Sequence, residues 1–377
     1  MGPLKGIRVI EMAGIGPAPF CGMILADMGA EVISVDRISA AGRGSVNEIS
    51  NRGKKSISLD LKKKEGQEIV KKLIKTSDVL IEGFRPGVME KNGLDPDTCF
   101  EINPKLIFGR MTGWGQYGPL ANAAGHDINY ISLSGVLGSI GEKSSPPPPP
   151  LNLIGDFGGG GMLLALGVCA ALNTVHTSGK GQVIDAAMTE GSALLMSMIY
   201  GMKSSGFWND SRESNLLDGA AHFYGCYECK DGKYVSIGSI EPQFYSLLRE
   251  KMNLDEDIFD NQMDKSLWED LKNSLMLKFK EKTQEEWCSI MEGTDICFAP
   301  VLSMEDAINH EHNQSRDSFI NIEGVDQPAP APKFSETISE VSHPPLKIGE
   351  STKEIMSLIG LDSEIDLYLK ENIISEG

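Results

Sequence analysis

The first part of the chain contains two short runs of aliphatic and β-branched residues, and the segment between them has the spacing of a helix. Residues 6–12 form the first run, and residues 31–35 form the second, which closes on Asp36. Between them, residues 17–28 carry apolar side chains at helical spacing, and Gly29 is the kind of residue that ends a helix. This pattern predicts a β-α-β unit, whose two strands are parallel and belong to one sheet.

Further strand-like runs follow at 78–82 and 106–110, with helical patterns between them. This alternation predicts an α/β fold with a doubly wound parallel sheet and helices on both faces. A chain of 377 residues is longer than a single hydrophobic core usually accommodates, so we expect a second domain. From Gly225, a hairpin turn at 231–232 and amphipathic helices indicate a smaller α+β domain, and the proline-rich segment 326–335 then leads the chain elsewhere.

The net charge of −18 disfavours nucleic acid and anionic membranes as partners. Against this balance, residues 37–64 contain eight basic side chains and only Glu48 and Asp60 as acids. Such a run is either a solvated face or a binding zone for a multiply phosphorylated small ligand, and charge alone does not decide between the two. The eight basic residues are Arg37, Arg43, Arg52, Lys54, Lys55, Lys62, Lys63 and Lys64.

We expect a cytoplasmic protein that does not associate with membranes. No stretch of 18 uncharged apolar residues is evident, and the first residues lack the apolar core of a signal peptide. Residues 373–377 form no peroxisomal or endoplasmic-reticulum signal, and the seven scattered cysteines argue for reduced thiols.

The segment 14–19 follows a strand and opens a helix, and Asp36 lies about twenty residues further on, as in a dinucleotide-binding fingerprint. However, Pro17 and Pro19 remove amide donors that a pyrophosphate requires, and the third glycine is missing. NAD binding is therefore disfavoured. Arg37, next to Asp36, suits a phosphorylated dinucleotide and a 3′-phosphorylated ADP equally well.

We expect no metal site. His310 and His312 are two positions apart instead of the four that place a pair on one helix face, and no third ligand is evident. Cys226 and Cys229 have metal-like spacing, but no second pair accompanies them.

Three residues lie at predicted helix starts, and the first two allow two interpretations each. His126 is either a structural group or a base, and the adjacent Asp127 favours a helix N-terminus whose free amides can hold an oxyanion. Asp156 lies where a strand-like run breaks into four glycines, so it is either an N-cap or a carboxylate that a ligand can reach. Glu241 precedes a proline that starts a helix, where a cap is the ordinary role.

Motifs that span nearly the whole chain resemble those of the family III CoA-transferase superfamily and, within it, the bacterial α-methylacyl-CoA racemases. They are NRGKKSISLDLK (51–62), IEGFRPGVMEKNGL (81–94), RMTGWGQYGPL (110–120), GHDINYISLSG (125–135), PPLNLIGDFGGG (149–160), GKGQVIDAAM (179–188) and EPQFY (241–245).

The resemblance implies catalytic roles for five residues. His126 resembles the base on one face of the substrate, and Asp156 resembles the base on the other face. Asp127 resembles the residue whose backbone amide holds the thioester oxygen, and Asn152 resembles the group that orients the aspartate. Glu241 resembles a residue that the partner subunit brings close to the histidine.

The resemblance also implies a surface for coenzyme A, formed by Arg37, the segment Leu59-Asp60-Leu61 and Lys91. An arginine is familiar at the position of Lys91, and a lysine supplies charge to a phosphate without a bidentate fork. The substrate carries its own coenzyme A, so no separate cofactor is expected.

The implied architecture is an interlocked homodimer. Residues 1–186 are expected to form the large α/β CoA-binding domain, which 328–377 completes. Residues 187–224 are expected to form a connecting helix and linker, and residues 225–327 the small domain.

The expected reaction interconverts the (2R) and (2S) forms of 2-methylacyl-CoA thioesters. A proton next to a thioester carbonyl is weakly acidic, so its removal requires a base and donors that stabilise an enolate, and inversion requires an acid on the opposite face. The alternative is a CoA-transferase of the same fold, in which Asp156 is a nucleophile and His126 has no role. A third hypothesis is a non-catalytic acyl-CoA binder.

Overall fold

The computed structural model describes residues 2–255 and 257–377 and divides the chain into two compact units. The first unit consists of Met1–Ser134, Pro150–Leu195 and Arg316–Gly377, and the second of Gly135–Pro149 and Met196–Ser315. Relative to the predicted boundaries, the first unit gains 187–195 and 316–327 and lacks 135–149.

Strands and helices alternate through the first unit. Within the described residues, the strands are β1 (Arg8–Met12), β2 (Glu31–Arg37), β3 (Lys54–Leu59), β4 (Val79–Glu82), β5 (Ile107–Thr112), β6 (Gln182–Ala187), β7 (Tyr224–Glu228), β8 (Tyr234–Gly238), β9 (Phe298–Val301), β10 (Phe319–Ile322), β11 (Val325–Pro328) and β12 (Ile374–Ser375). The α-helices are α1 (Pro17–Asp27), α2 (Lys64–Lys75), α3 (Val88–Lys91), α4 (Pro96–Ile102), α5 (Asp127–Leu133), α6 (Leu163–Ser178), α7 (Met188–Leu195), α8 (Ser197–Ser204), α9 (Pro242–Met252), α10 (Trp268–Phe279), α11 (Gln284–Met291), α12 (Met304–Asn309), α13 (Glu311–Ser315), α14 (Thr352–Leu358) and α15 (Ile365–Lys370). A π-helix, Leu153–Met162, runs directly into α6.

Seven strands of the first unit form one sheet in the order β12-β3-β2-β1-β4-β5-β6. Strands β1 to β6 are parallel, and β12 is antiparallel to β3. The predicted β-α-β unit and the doubly wound α/β fold are therefore confirmed. The strand order reverses between β1 and β4, and such a reversal opens a crevice at the carboxyl ends of the two strands.

Helices cover both faces of this sheet, because successive residues of a strand point to opposite sides. In β1, Val9 belongs to a core with Leu25 of α1 and Val168 of α6. Its neighbour Ile10 belongs to the core on the other face, together with Leu73 of α2. The middle strands are apolar on both sides for this reason, and they hold the loops at their carboxyl ends rigidly.

One helix, Leu153–Ser178, is long and apolar enough to cross a membrane by length and composition. The helix has Asp156 as its only Asp, Glu, Lys or Arg, and its apolar run ends at Asn173, short of 18 residues. Core helices of soluble proteins pass the same test, and Leu164 and Val168 of this helix are buried in the core beside the sheet.

The second unit contains an antiparallel sheet of β7, β8 and β9, and helices pack on it. The predicted hairpin turn joins β7 to β8, with Gly232 at a positive φ of 76° that suits glycine. Tyr227, Phe279 and Trp287 are fully buried in its core. The small α+β domain of the predicted fold class is confirmed.

Two residues of the basic segment are buried and paired with carboxylates. Arg52 Nη2 lies 2.6 Å from Asp27 Oδ2, and Arg52 Nη1 donates to Gln327 Oε1 at 2.8 Å. Lys54 Nζ lies 2.7 Å from Glu11 Oε2. Arg52 and Lys54 are therefore neither a solvated face nor available to a ligand, and both interpretations of the segment are wrong for them.

We predict that Arg52→Ala lowers the free energy of unfolding by about 3–5 kcal/mol, because it leaves the Asp27 carboxylate buried without its counter-ion. Urea unfolding at neutral pH measures this loss. The matched control is Arg43→Ala, which removes an exposed charge from the same segment and is expected to change the free energy little. Equal effects of the two substitutions would contradict the structural role of Arg52.

Candidate active site

A cavity of about 550 Å³ lies in the crevice between the carboxyl ends of β1 and β4. The loops after β1, β4 and β5 form its walls, and the start of α5 and the π-helix complete it. The lining includes Gly16, Phe84, Arg85, Trp114, His126, Tyr130, Asn152 and Asp156.

His126 occupies the position just before α5, with extended backbone angles of φ −133° and ψ 172°. Its backbone N–H donates to Asn129 Oδ1 at 3.1 Å, which fixes the start of the helix. The loop that leads to His126 packs around Tyr130, whose hydroxyl donates to the carbonyl of Gly125. A Cβ at Gly113 would stand 2.0 Å from the Tyr130 ring, so the loop requires glycine there.

Asp156 lies inside the π-helix, and therefore it is not the N-cap that one interpretation of the sequence assigns to it. The run before the glycines is helical and not strand-like. Asp156 Oδ2 accepts a hydrogen bond from Asn152 Nδ2 at 3.1 Å. Across the cavity, a Cβ at Gly16 would stand 3.3 Å from the same oxygen, so a glycine there leaves the carboxylate open to the cavity.

Burial raises the pKa of Asp156 above its ordinary value, and the negative charge of Asp127 raises it further. The hydrogen bond from Asn152 and the charge of His126 act in the opposite direction but do not cancel the rise. A carboxylate with a raised pKa is a stronger base than an ordinary aspartate, which suits the removal of a weakly acidic proton.

Asp127 is the first residue of α5, and its side chain is only 5% exposed. Its Oδ1 accepts a hydrogen bond from the backbone N–H of Asp156 at 2.7 Å. The structure therefore brings together His126, Asp127, Asn152 and Asp156. The proposed use of the Asp127 backbone amide stays a prediction, and it is consistent with the free amides that every helix N-terminus offers.

The predicted coenzyme A residues lie along the same edge of the sheet as the cavity. Arg37 ends β2 and pairs in register with Leu59, which ends β3, and Asp60 and Leu61 follow directly. The side chain of Leu59 is buried in the core, so only its backbone is available to a ligand. Arg37 is exposed, as is Lys91 at the end of α3.

Asp36 does not serve as the acidic residue of a dinucleotide site. Its Oδ2 accepts a hydrogen bond from Ser56 Oγ at 2.7 Å, and burial raises its pKa. The side chain is therefore engaged between β2 and β3 and is not free for a ribose.

Glu241 belongs to the second unit, where it is exposed and directly precedes α9. It occupies the N-cap position without a side-chain capping hydrogen bond, so the ordinary role that the sequence suggests is not realised. Its contribution from a partner subunit stays a prediction.

Three residues of the cavity wall carry polar or aromatic groups that sequence reasoning did not single out, namely Arg85, Trp114 and Tyr130. Each lies within a recognised motif, but only the fold places it in the crevice. The strand ends offered a signal for Arg85, since the loop after β4 faces the same edge as the loop after β1.

A buried ion pair holds the loop that carries Arg85. Arg110 Nε lies 2.9 Å from Glu82 Oε1, and Glu82 Oε2 accepts the backbone N–H of Phe84 at 2.7 Å. Arg110 Nη1 reaches Glu90 Oε1 at 2.9 Å and so ties α3 to the same network.

Among the described residues, no group of three or more His, Cys, Asp and Glu is arranged to hold a metal ion. His310 Nε2 instead lies 2.8 Å from Glu292 Oε1.

Two curated proteins resemble this chain over nearly its full length. The α-methylacyl-CoA racemase of Mus musculus is 44% identical over 376 residues, which cover 99% of this chain and 97% of the mouse protein. The racemase of Homo sapiens is 45% identical with the same coverage. An (R)-2-hydroxy-4-methylpentanoate CoA-transferase of Clostridioides difficile is 29% identical and covers 96% of both chains.

The fold is also that of a solved structure, a CAIB/BAIF family protein from Brucella suis. The TM-score is 0.82 at 25% sequence identity, and the match covers 95% of this chain and 99% of that protein. Residues 4–352 match the family model of CoA-transferase family III. With this match over most of its length, and with the crevice and its cavity, the chain belongs to CoA-transferase family III.

Proposed function

We propose that this protein is an isomerase that interconverts the (2R) and (2S) forms of 2-methylacyl-CoA thioesters. The observation that carries the proposal is the pair His126 and Asp156 on the wall of one cavity, where burial gives Asp156 a raised pKa. The full-length similarity to the racemases of mouse and human supports the same reaction.

In this mechanism, one residue of the pair removes the proton from C2 of the acyl group. The electron pair of the broken C–H bond moves toward the thioester oxygen and forms an enolate, which the backbone amide of Asp127 stabilises by a hydrogen bond. The other residue, already protonated, then donates its proton to the opposite face. The chain uses its own side chains for each proton transfer, and the substrate brings the coenzyme A.

A CoA-transferase reaction is the competing proposal, since transferases of the family are also similar to this chain. There the carboxylate of Asp156 attacks the thioester carbonyl, and a second base on the cavity wall has no task. The presence of His126 in the cavity therefore favours the racemase.

We predict that His126→Ala strongly reduces racemisation but retains α-deuterium exchange of the one enantiomer that presents its proton to Asp156. Asp156→Ala is expected to retain exchange of the other enantiomer only. Racemisation is expected to fall by on the order of 10²–10⁴-fold in each variant, as is typical for the loss of a positioned base. NMR in D₂O with each enantiomer measures this. Near wild-type racemisation by His126→Ala would contradict the proposed pair of bases, and a wild type that does not racemise would favour the transferase.

We further propose that Arg37, the backbone at 59–61 and Lys91 bind the nucleotide end of coenzyme A. Arg52 and Lys54 are excluded from this role, because they are buried counter-ions. What supports the proposal is that the two neighbouring strand ends lie on the same edge of the sheet as the cavity.

We predict that Arg37→Ala raises the KM for acyl-CoA and leaves kcat nearly unchanged, because the contact is equally present in the ground state and the transition state. A pantetheine thioester, which lacks the nucleotide, is expected to be affected much less. The matched control is Lys105→Ala, which removes one exposed positive charge just before β5, at the opposite edge of the sheet. Equal losses on both thioesters would show that Arg37 does not contact the nucleotide.

We also propose a homodimer in which Glu241 of the partner subunit completes the site. Several large apolar side chains of the first unit are exposed, which is typical of a surface that another protein covers. They lie on the π-helix, α6 and α7 and include Leu153, Met162, Leu166, Leu194 and Leu195. A second subunit on this face would cover the exposed apolar side chains of the long helix, so that no membrane is needed to cover them. This agrees with the proposal of a cytoplasmic protein.

We predict that inactive Glu241→Ala and inactive Asp156→Ala chains regain activity when they are refolded together. A mixed dimer then contains one intact site, so a 1:1 mixture is expected to reach about a quarter of wild-type activity. Sedimentation of the mixture establishes the dimer, and each variant refolded alone is the control. If Glu241 served its own subunit, mixing would restore nothing.

A further inference from the structure

The backbone amides at the start of a helix have no acceptor within the helix. Asp156 is the fourth residue of the π-helix, so its N–H belongs to this group. The amide is satisfied from another element, since it donates to Asp127 Oδ1 at 2.7 Å. Asp127 therefore caps the π-helix from α5, at the residue that carries the base.

The neighbouring glycine makes room for this contact. A Cβ at Gly155 would stand 2.5 Å from Asp127 Oδ1, closer than real side chains tolerate. Gly155 and Asp127 are both buried, so a side chain at position 155 would compete with the carboxylate for the same space. The carboxylate of Asp127 in α5 thus packs directly against the backbone of Gly155 in the π-helix.

This arrangement is costly for an ordinary helix cap. Asp127 is buried, and within the described residues its Oδ2 has no hydrogen-bond partner. By contrast, Asp95 caps α4 with both of its oxygens bonded to Thr98. A buried carboxylate with a free oxygen points to a task beyond the start of a helix.

We propose that the Asp127 side chain is a positioning residue, which fixes the Asp156 backbone relative to the N-terminus of α5 and so sets the two bases against each other across the cavity. This inference rests on the proposed function. It assigns to the Asp127 carboxylate a role separate from that of the Asp127 backbone amide.

The charge of Asp127 has a second consequence that can be measured. Burial raises the pKa of Asp156 and the charge of Asp127 raises it further, whereas the hydrogen bond from Asn152 and the charge of His126 lower that pKa. Tyr130 also faces this group, since the charge of Asp156 acts on its phenol. Asp156 accepts a proton only when it is ionised, so exchange falls as the pH drops through its pKa.

The experiment follows kcat and KM for α-deuterium exchange against pH, with the enantiomer that His126→Ala still exchanges. Asp127→Asn keeps an oxygen acceptor and removes the charge, so the acidic limb of the pH profile is expected at lower pH. Asn152→Ala removes a bond to the ionised carboxylate, so the limb is expected at higher pH. Asp127→Ala is expected to lose kcat by on the order of 10- to 100-fold at an almost constant KM, as misplaced groups do.

Asp95→Asn is the matched control, because it alters a capping aspartate that does not line the cavity, and its pH profile is expected to match the wild type. If Asp127→Ala does not fold, Asp127→Asn alone still tests the inference. An acidic limb of Asp127→Asn that coincides with the wild type, or a folded Asp127→Ala variant with the kcat of the wild type, would overturn it. That failure is distinct from failure of the proposed function, in which the wild type would not racemise or His126→Ala would racemise at a near wild-type rate.

Discussion

The reversal of strand order between β1 and β4 is the constraint on which the remaining architecture depends. Parallel strands deliver all their carboxyl-terminal loops to one edge, and at the reversal those loops diverge and leave an opening. The loop before α1, the loop that carries Arg85 and the approach to α5 all meet there. The site consists of several short loops. Each loop is held in place because the strand before it belongs to a sheet that is buried on both faces.

The fold could be predicted from the sequence because its elements leave local signatures. The apolar run at 31–35 indicates a strand that is buried on both faces of its sheet. The helical spacing from Pro17 indicates a helix that covers one of these faces, as in a parallel sheet between two layers of helices. The hairpin at Gly232 is equally local, since a positive φ at a tight turn favours glycine. Each of these features depends on neighbours within a few residues.

The candidate site could be predicted only in part, because its contacts join distant positions. Charge density gave no means of distinguishing Arg37, which is exposed, from Arg52, which Asp27 and Gln327 enclose. The helical state of Asp156 was also hidden, because four successive glycines favour no regular structure. Only the fold shows that they pack closely against other elements, since a Cβ at Gly159 would meet the backbone of Ser192 and a Cβ at Gly161 that of Pro17. The resemblance to the family identified His126 and Asp156 as the candidate pair, but the residues that hold them in place were visible only in the fold.

The edge of the sheet has a consequence for how the chain is made. Leu59 at the end of β3 pairs with Ile374, and the backbone N–H of Asp60 donates to the carbonyl of Ile373 at 2.8 Å. During synthesis, β3 therefore emerges from the ribosome long before its neighbour exists, with a row of free amides and carbonyls that invites wrong partners. Until the strand is paired, the positive charges of Lys54 and Lys55 disfavour its association with other strands. The strand that borders the proposed nucleotide surface is thus closed only after the last residues of the sheet have been made.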